Sequence, residues 1–105
     1  MIEITIKQRT DHEIVITVPN ENLSGAAAKF MLSDSIDGAP TILATSQSGI
    51  DMGDAENGVM VVNLSDDQTN VRGVYYFECE VIGTFGNRSI VTEGIINFKA
   101  TNSGY

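Results

Sequence analysis

The chain holds few residues able to do chemistry, and their spacing limits what that chemistry could be. His12 is the single histidine and stands between Asp11 and Glu13 where an alternating run begins. A general base needs a nucleophile and an orienting group within hydrogen-bond reach, and the sequence nominates neither. Cys79 is the single cysteine, so no intrachain disulfide can form. It lies in the series Tyr75, Phe77, Cys79, Val81, one face of a strand, where a thiol serves as a small apolar group. One histidine and one cysteine fall short of a structural zinc site, which takes four such ligands. Asp51, Asp54 and Glu56 lie close together ahead of Asn57-Gly58. Their spacing lacks the bidentate acid that closes a calcium loop, so they read as a solvated turn. The glycines stand singly at turns and form no phosphate-binding loop. Asn22, Asn63 and Asn87 each open an Asn-x-Ser triplet, which carries no meaning without an export signal. No catalytic, cofactor-binding or metal-binding residue is expected, and none is assigned to partner binding.

Charge narrows the partners. Fourteen acids against six bases give a net charge of −8. Between Lys29 and Arg72 there are Asp34, Asp37, Asp51, Asp54, Glu56, Asp66 and Asp67, and no base. Nucleic-acid binding needs a basic footprint, and anionic membranes attract basic segments, so neither partner is expected. The acidic middle reads as a solvated surface that resists aggregation, or as a surface that docks on a basic partner.

The elements that must position these residues read mostly as strands. The 105 residues fit one domain, and 42% are apolar, a globular composition. Ten glycines against two prolines, with many Ile, Val and Thr, favour strands and turns. The start, Met1 to Lys7, lacks the basic region and apolar core of a signal peptide, and no apolar run approaches the ~20 residues of a membrane helix. Synthesis in the cytoplasm without standard export is expected.

The chain is organised around residues 54–82, two alternating runs joined by a polar segment. Val59–Leu64 is a strand, Ser65-Asp66-Asp67-Gln68 matches a capping box and predicts one helical turn, and Val74–Ile82 is expected to be the longest strand. Upstream, Ile2, Ile4 and Ile6 alternate with Glu3, Thr5 and Lys7. After a polar break, Glu13–Val18 resumes with Ile14, Ile16 and Val18 on one face and Val15 and Thr17 on the other, and Pro19 ends it. Ala26–Ser33 can be argued as a helix from its alanines. The shared face of Ala26, Ala28, Phe30 and Leu32, and the lack of a helical continuation, favour a strand. Asp37-Gly38 marks a turn and Pro40–Thr45 a short strand. Ser46–Gly53, with Ile50 and Met52, reads as a loop or ragged edge. Downstream, Gly83 to Asn87 makes a hairpin-like connection. Arg88–Thr92 and Gly94–Lys99 form the last strand, with Gly94 a bulge or point of close approach. Residues 1–99 thus predict one all-β, immunoglobulin-like sandwich of seven to eight antiparallel strands, followed by a polar tail, 100–105. No tryptophan and no cysteine pair is present to build an antibody-type core.

The pattern Asp54-x-x-Asn57-Gly58-Val59-x-Val61-x-x-Leu64-Ser65-x-Asp67-x-Thr69, then Gly73-x-Tyr75-Tyr76-Phe77-x-x-x-Val81, resembles the N-terminal Ig-like domain family of phage upper baseplate proteins and related phage and prophage tail modules. Leu23-Ser24-Gly25-Ala26-x-x-x-Phe30 is similar to that family's Leu-Thr-Gly-Ala strand opening, and Gly94-x-Ile96-x-Phe98 to its closing strand. Arg9-Thr10-Asp11-His12 departs from its usual Arg-Gly-Asp-like opening. The resemblance spans residues 12–99. It implies a non-enzymatic structural or interaction module of a tail or baseplate, located in the virion, whose partners are other tail or baseplate proteins or further copies of itself. It implies no catalytic residue and no cofactor. The rival reading is a small ligand- or carbohydrate-binding sandwich module, for which Phe85 and Tyr105 are the available loop aromatics.

Overall fold

The computed structural model describes residues 2–35 and 38–100. Its eight strands follow the period-two runs: β1 Ile2–Lys7, β2 His12–Thr17, β3 Ala27–Ser33, β4 Thr41–Thr45, β5 Ile50–Asp51, β6 Val59–Leu64, β7 Gly73–Ile82 and β8 Arg88–Lys99, with one 3₁₀ turn at Ala55–Asn57. They form two sheets, a five-stranded one ordered β1-β8-β7-β3-β4 and a three-stranded one ordered β2-β6-β5. In immunoglobulin terms β2-β6-β5 stands where B-E-D would, and β8-β7-β3-β4 where G-F-C-C′ would. The chain crosses between sheets at the β1–β2, β2–β3, β4–β5 and β6–β7 connections, as a Greek-key sandwich requires. The inward residues of both sheets, among them Ile6, Ile14, Ile16, Phe30, Met60, Val62, Phe77, Ile96 and Phe98, form one buried cluster. Phe30 stacks on Phe77, with ring centroids 5.5 Å apart. Tyr75 meets Phe98 edge to face at 5.6 Å, both ordinary aromatic arrangements.

The expected strand over Ala26–Ser33 forms, starting one residue later. Its alanines yield to pairing on both sides, with β7 and β4, and tertiary pairing outweighs a small local helix preference. Three expectations need correction. The sheets are not wholly antiparallel: β1 lies parallel to β8, Ile2 beside Gly94 and Lys7 beside Lys99. The short polar segment Gln8–Asp11 carries the chain to the other sheet. The longest strand is β8, which runs unbroken through Gly94, rather than Val74–Ile82. The β7–β8 register shift falls at Cys79/Glu80, so Gly94 is the point of close approach and not the bulge. Ser46–Gly53 contains only the two-residue β5, a ragged edge as expected. Ile2 is 50% exposed although the alternation put it with Ile4 and Ile6. Asp37 of the expected Asp37-Gly38 turn, and the tail beyond Ala100 with Tyr105, lie outside the described residues.

The polar segment between β6 and β7 closes as a single turn. Ser65 N–H donates to Gln68 Oε1 (2.9 Å) and Gln68 N–H to Ser65 Oγ (3.3 Å), both halves of a capping box. Thr69 N–H donates to Ser65 O at 3.1 Å. The turn does not extend into a helix. Instead it holds the β1–β2 crossover. Thr10 N–H donates to the Thr69 hydroxyl at 3.0 Å, and that hydroxyl donates to Thr10 O at 2.8 Å. Asp66 N–H donates to Asp11 Oδ1 at 3.0 Å, and Gln68 Nε2 reaches Leu43 O at 2.6 Å. Thr69 is fully buried. Thr69→Val keeps the shape but leaves the Thr10 N–H and carbonyl without this partner, and is expected to cost about 2 kcal/mol in urea unfolding. Thr69→Ser, which keeps the hydroxyl, is expected to lose less than half of that.

Candidate interaction surfaces

The residues able to do chemistry are dispersed or tied into local turns. His12 opens β2 opposite Leu64 and shares a shallow depression with Asp11, Glu13, Ser65 and Gln68. Among the described residues no hydrogen bond joins His12 to Ser65 or Asp11. The Ser65 hydroxyl sits in the capping box and the Asp11 carboxylate takes the Asp66 amide. This is the grouping nearest to a Ser-His-Asp set, and its hydrogen bonds serve the turn. Asp51 Oδ1 accepts from Gly53 N–H at 2.8 Å and Asp54 Oδ1 from Asn57 Nδ2 at 2.7 Å. Among the described residues no three His, Cys, Asp or Glu side chains converge to hold a metal ion.

Cys79 is fully buried opposite Phe30. Loss of solvation on burial pushes its thiol up from 9.0 to about 11. A group whose acidity is weakened by folding adds stability below its unfolded value, and that stability is lost as the pH rises towards its folded value. Unfolding free energy is therefore expected to fall by about 1 kcal/mol per pH unit between pH 9 and pH 11 from this thiol alone. The difference between the wild-type chain and Cys79→Ala, measured by urea unfolding across that window, isolates the slope.

Contact surfaces are better developed. At one end of the sandwich, a cleft of about 340 Å³ lies between the segment joining β2 to β3 and the β7–β8 hairpin. Leu23 anchors the first wall: its side chain is buried and its N–H donates to Ala55 O at 2.8 Å. Asn22 Oδ1 accepts from Ser24 N–H at 2.9 Å and shapes the rim. The second wall is built by a tight hairpin. Gly86 N–H donates to Gly83 O (2.9 Å), Gly83 N–H donates to Asn87 O (2.8 Å), and Gly86 has φ of 84°, the left-handed position that ends a three-residue hairpin loop. Phe85 therefore stands at the apex, 98% exposed, on a short and strongly held loop. The polar lining, with Glu21, Asn22, Ser24, Thr84, Asn87 and Ser89, offers hydrogen-bond partners but no convergent charge.

The outward face of the five-stranded sheet mixes Tyr76 beside Ile95 with acids. Glu78 stands directly opposite Glu93, a like-charge pair with no base bridged to either among the described residues. Glu80, by contrast, meets Arg88 at 3.3 Å and Lys29 at 3.7 Å. Among the described residues six large apolar side chains are exposed: Ile2, Val15, Ile42, Val74, Phe85 and Ile90. Alternation placed Val15 on the outer face of its strand. It did not reveal that β2 ends a sheet, because sheet order is not written in a single strand's pattern. Compared with known protein families and with curated proteins, the chain matches none.

Proposed function

We propose that this chain is a non-enzymatic structural and interaction module, a component of a phage or prophage tail or baseplate that resides in the virion after synthesis in the bacterial cytoplasm. The observation that carries the reading is the set of large apolar side chains held exposed on short hairpins and strands, Phe85 foremost, beside titratable groups engaged in local turns. Rigid exposed aromatics are what protein interfaces use as anchors. The residue pattern across 54–82 favours the tail and baseplate family in particular. With a net charge of −8, the partners are other tail or baseplate proteins or further copies of the chain, not nucleic acid or an anionic membrane. Sedimentation of particles through a density gradient tests this: the chain is expected in the particle band, and its consistent absence there overturns the proposal.

The cleft beneath the Phe85 hairpin favours a second reading, a small ligand- or carbohydrate-binding module, because a polar-lined cleft beside an exposed ring is a common way to hold a sugar. A glycan array gives binding that Phe85→Ala abolishes if this reading holds. An array without hits removes it.

A further inference from the structure

We propose that the free edge of β2 is a self-association surface, on which a second copy of the chain adds its own β2 antiparallel about a two-fold axis at Val15. The proposal rests on the assembly reading above and names its partner and surface. The hydrogen-bond pattern fixes which groups are on offer. Val18 N–H donates to Gly58 O at 2.8 Å, which continues the β2–β6 register of His12 with Leu64 and Ile16 with Met60. Antiparallel ladders alternate, so His12, Ile14 and Ile16 turn their backbone groups to β6, and Glu13, Val15 and Thr17 turn theirs away. The other side of β6 agrees. Asn63 N–H donates to Gly49 O at 2.7 Å, so the odd residues of β6 serve β5 and the even ones serve β2. Among the described residues no strand covers the outer edge of β2.

The other sheet edges carry guards of the kinds that keep strands from pairing with strangers. On β1 the edge-facing positions include the charged Glu3 and Lys7. On β4 there is Pro40 just ahead and a register irregularity against β3, and β5 has two residues. The β2 edge has no proline within it, no bulge and no lysine; its one charged edge-facing residue is Glu13, at one end, and its central residue, Val15, is 62% exposed.

The sequence of this edge is complementary to itself. With Val15 opposite Val15 of the second copy, Glu13 faces Thr17 and Thr17 faces Glu13. All three edge-facing residues then meet edge-facing residues, and each of the three pairs exchanges two N–H···O bonds. Sliding by two residues loses one of the three pairs. In the symmetric register no acid faces an acid, although the chain is strongly acidic, and the two Val15 side chains meet on the outer face, flanked by Val61 of each copy across the β2–β6 pairing. The result is one continuous six-stranded sheet. A single strand edge buries a small area, so association belongs to the weak, concentration-dependent class.

Sedimentation velocity on the full chain, from about 1 μM to about 1 mM, spans that class. The expected result is a shift from one copy to two. Val15→Lys places two like charges directly opposite each other at the axis on a side chain that is already exposed, and is expected to raise the dimer dissociation constant at least about tenfold. Hydrogen exchange on the unmodified protein gives a readout independent of any variant: the amides of Glu13, Val15 and Thr17 gain protection as concentration rises. A monomer across the whole range overturns the proposal, as does a dimer indifferent to Val15→Lys whose β2 amides keep constant exchange. A chain found in particles yet monomeric overturns this proposal alone, and a β2-edge dimer absent from particles overturns the tail reading alone.

Discussion

Replacing Gly94 with alanine is expected to destabilise the protein by about 3 kcal/mol, a large part of the 5–15 kcal/mol typical of a domain. Gly94 lies between Phe77 on β7 and Ile2 on β1. A methyl group there would overlap the Ile2 carbonyl oxygen and come within 2.9 Å of Phe77 Cε1 and of the Ile2 carbonyl carbon. Two of those three atoms are backbone, so no rotamer change relieves the clash. β1 must move away from β8, or β8 must bend. The parallel β1–β8 pairing is the part that yields, because β1 is an edge strand held on one side only. Hydrogen exchange separates this from general loosening: the amides of Ile4 and Ile6 lose protection far more than those of β3. Gly58 poses a comparable constraint. Its φ of 75° is left-handed and a methyl group there would overlap Val18 O, so Gly58→Ala combines backbone strain with a clash.

Phe30→Ala is expected to cost about 4 kcal/mol. Phe30 has no exposed surface, stacks on Phe77 at 5.5 Å, and stands between Cys79 on β7 and Ala44 on β4. Both neighbouring positions are small, so the ring fills volume that they cannot reclaim. The loss combines the transfer free energy of the ring with the cavity left behind. It is uniform across the sandwich, unlike the local release of β1 by Gly94→Ala, and guanidinium unfolding is expected to show a lower midpoint with an unchanged slope. Phe30→Leu, which keeps most of the volume, is expected to recover most of the loss.

These two positions illustrate what a single sequence discloses. Phe30 sits in an alternating run, and its burial follows from period alone. Gly94 interrupts a run that otherwise reads as a strand, which marks a close approach without saying to what. The neighbour proved to be β1, more than ninety positions earlier in the chain, and no local pattern encodes that contact. The same limit explains Thr69. It reads as a turn residue, yet its hydroxyl is buried because the crossover at Thr10 folds over it, and only the sheet assignment of β1 and β2 puts the two together. Strand existence was legible almost throughout, since alternation reports one buried face. Strand partition was not, because alternation is silent on which neighbour supplies the backbone bonds. That partition makes β2 an edge and turns Val15 from an ordinary outward residue into the centre of a candidate interface. Phe85 was legible as a loop aromatic from the glycines that bracket it, although its near-complete exposure depends on the tight closure of the hairpin.

The proposed assembly role is tested most directly by measuring the copy number of the chain in gradient-purified particles, by quantitative mass spectrometry, with the unmodified chain and Phe85→Glu side by side. The expected result is a fixed ratio of the unmodified chain to the major tail protein, reproducible between preparations, and depletion of the variant although it folds normally in isolation. A background-level signal for the unmodified chain contradicts the account, because a tail or baseplate component must travel with the particle.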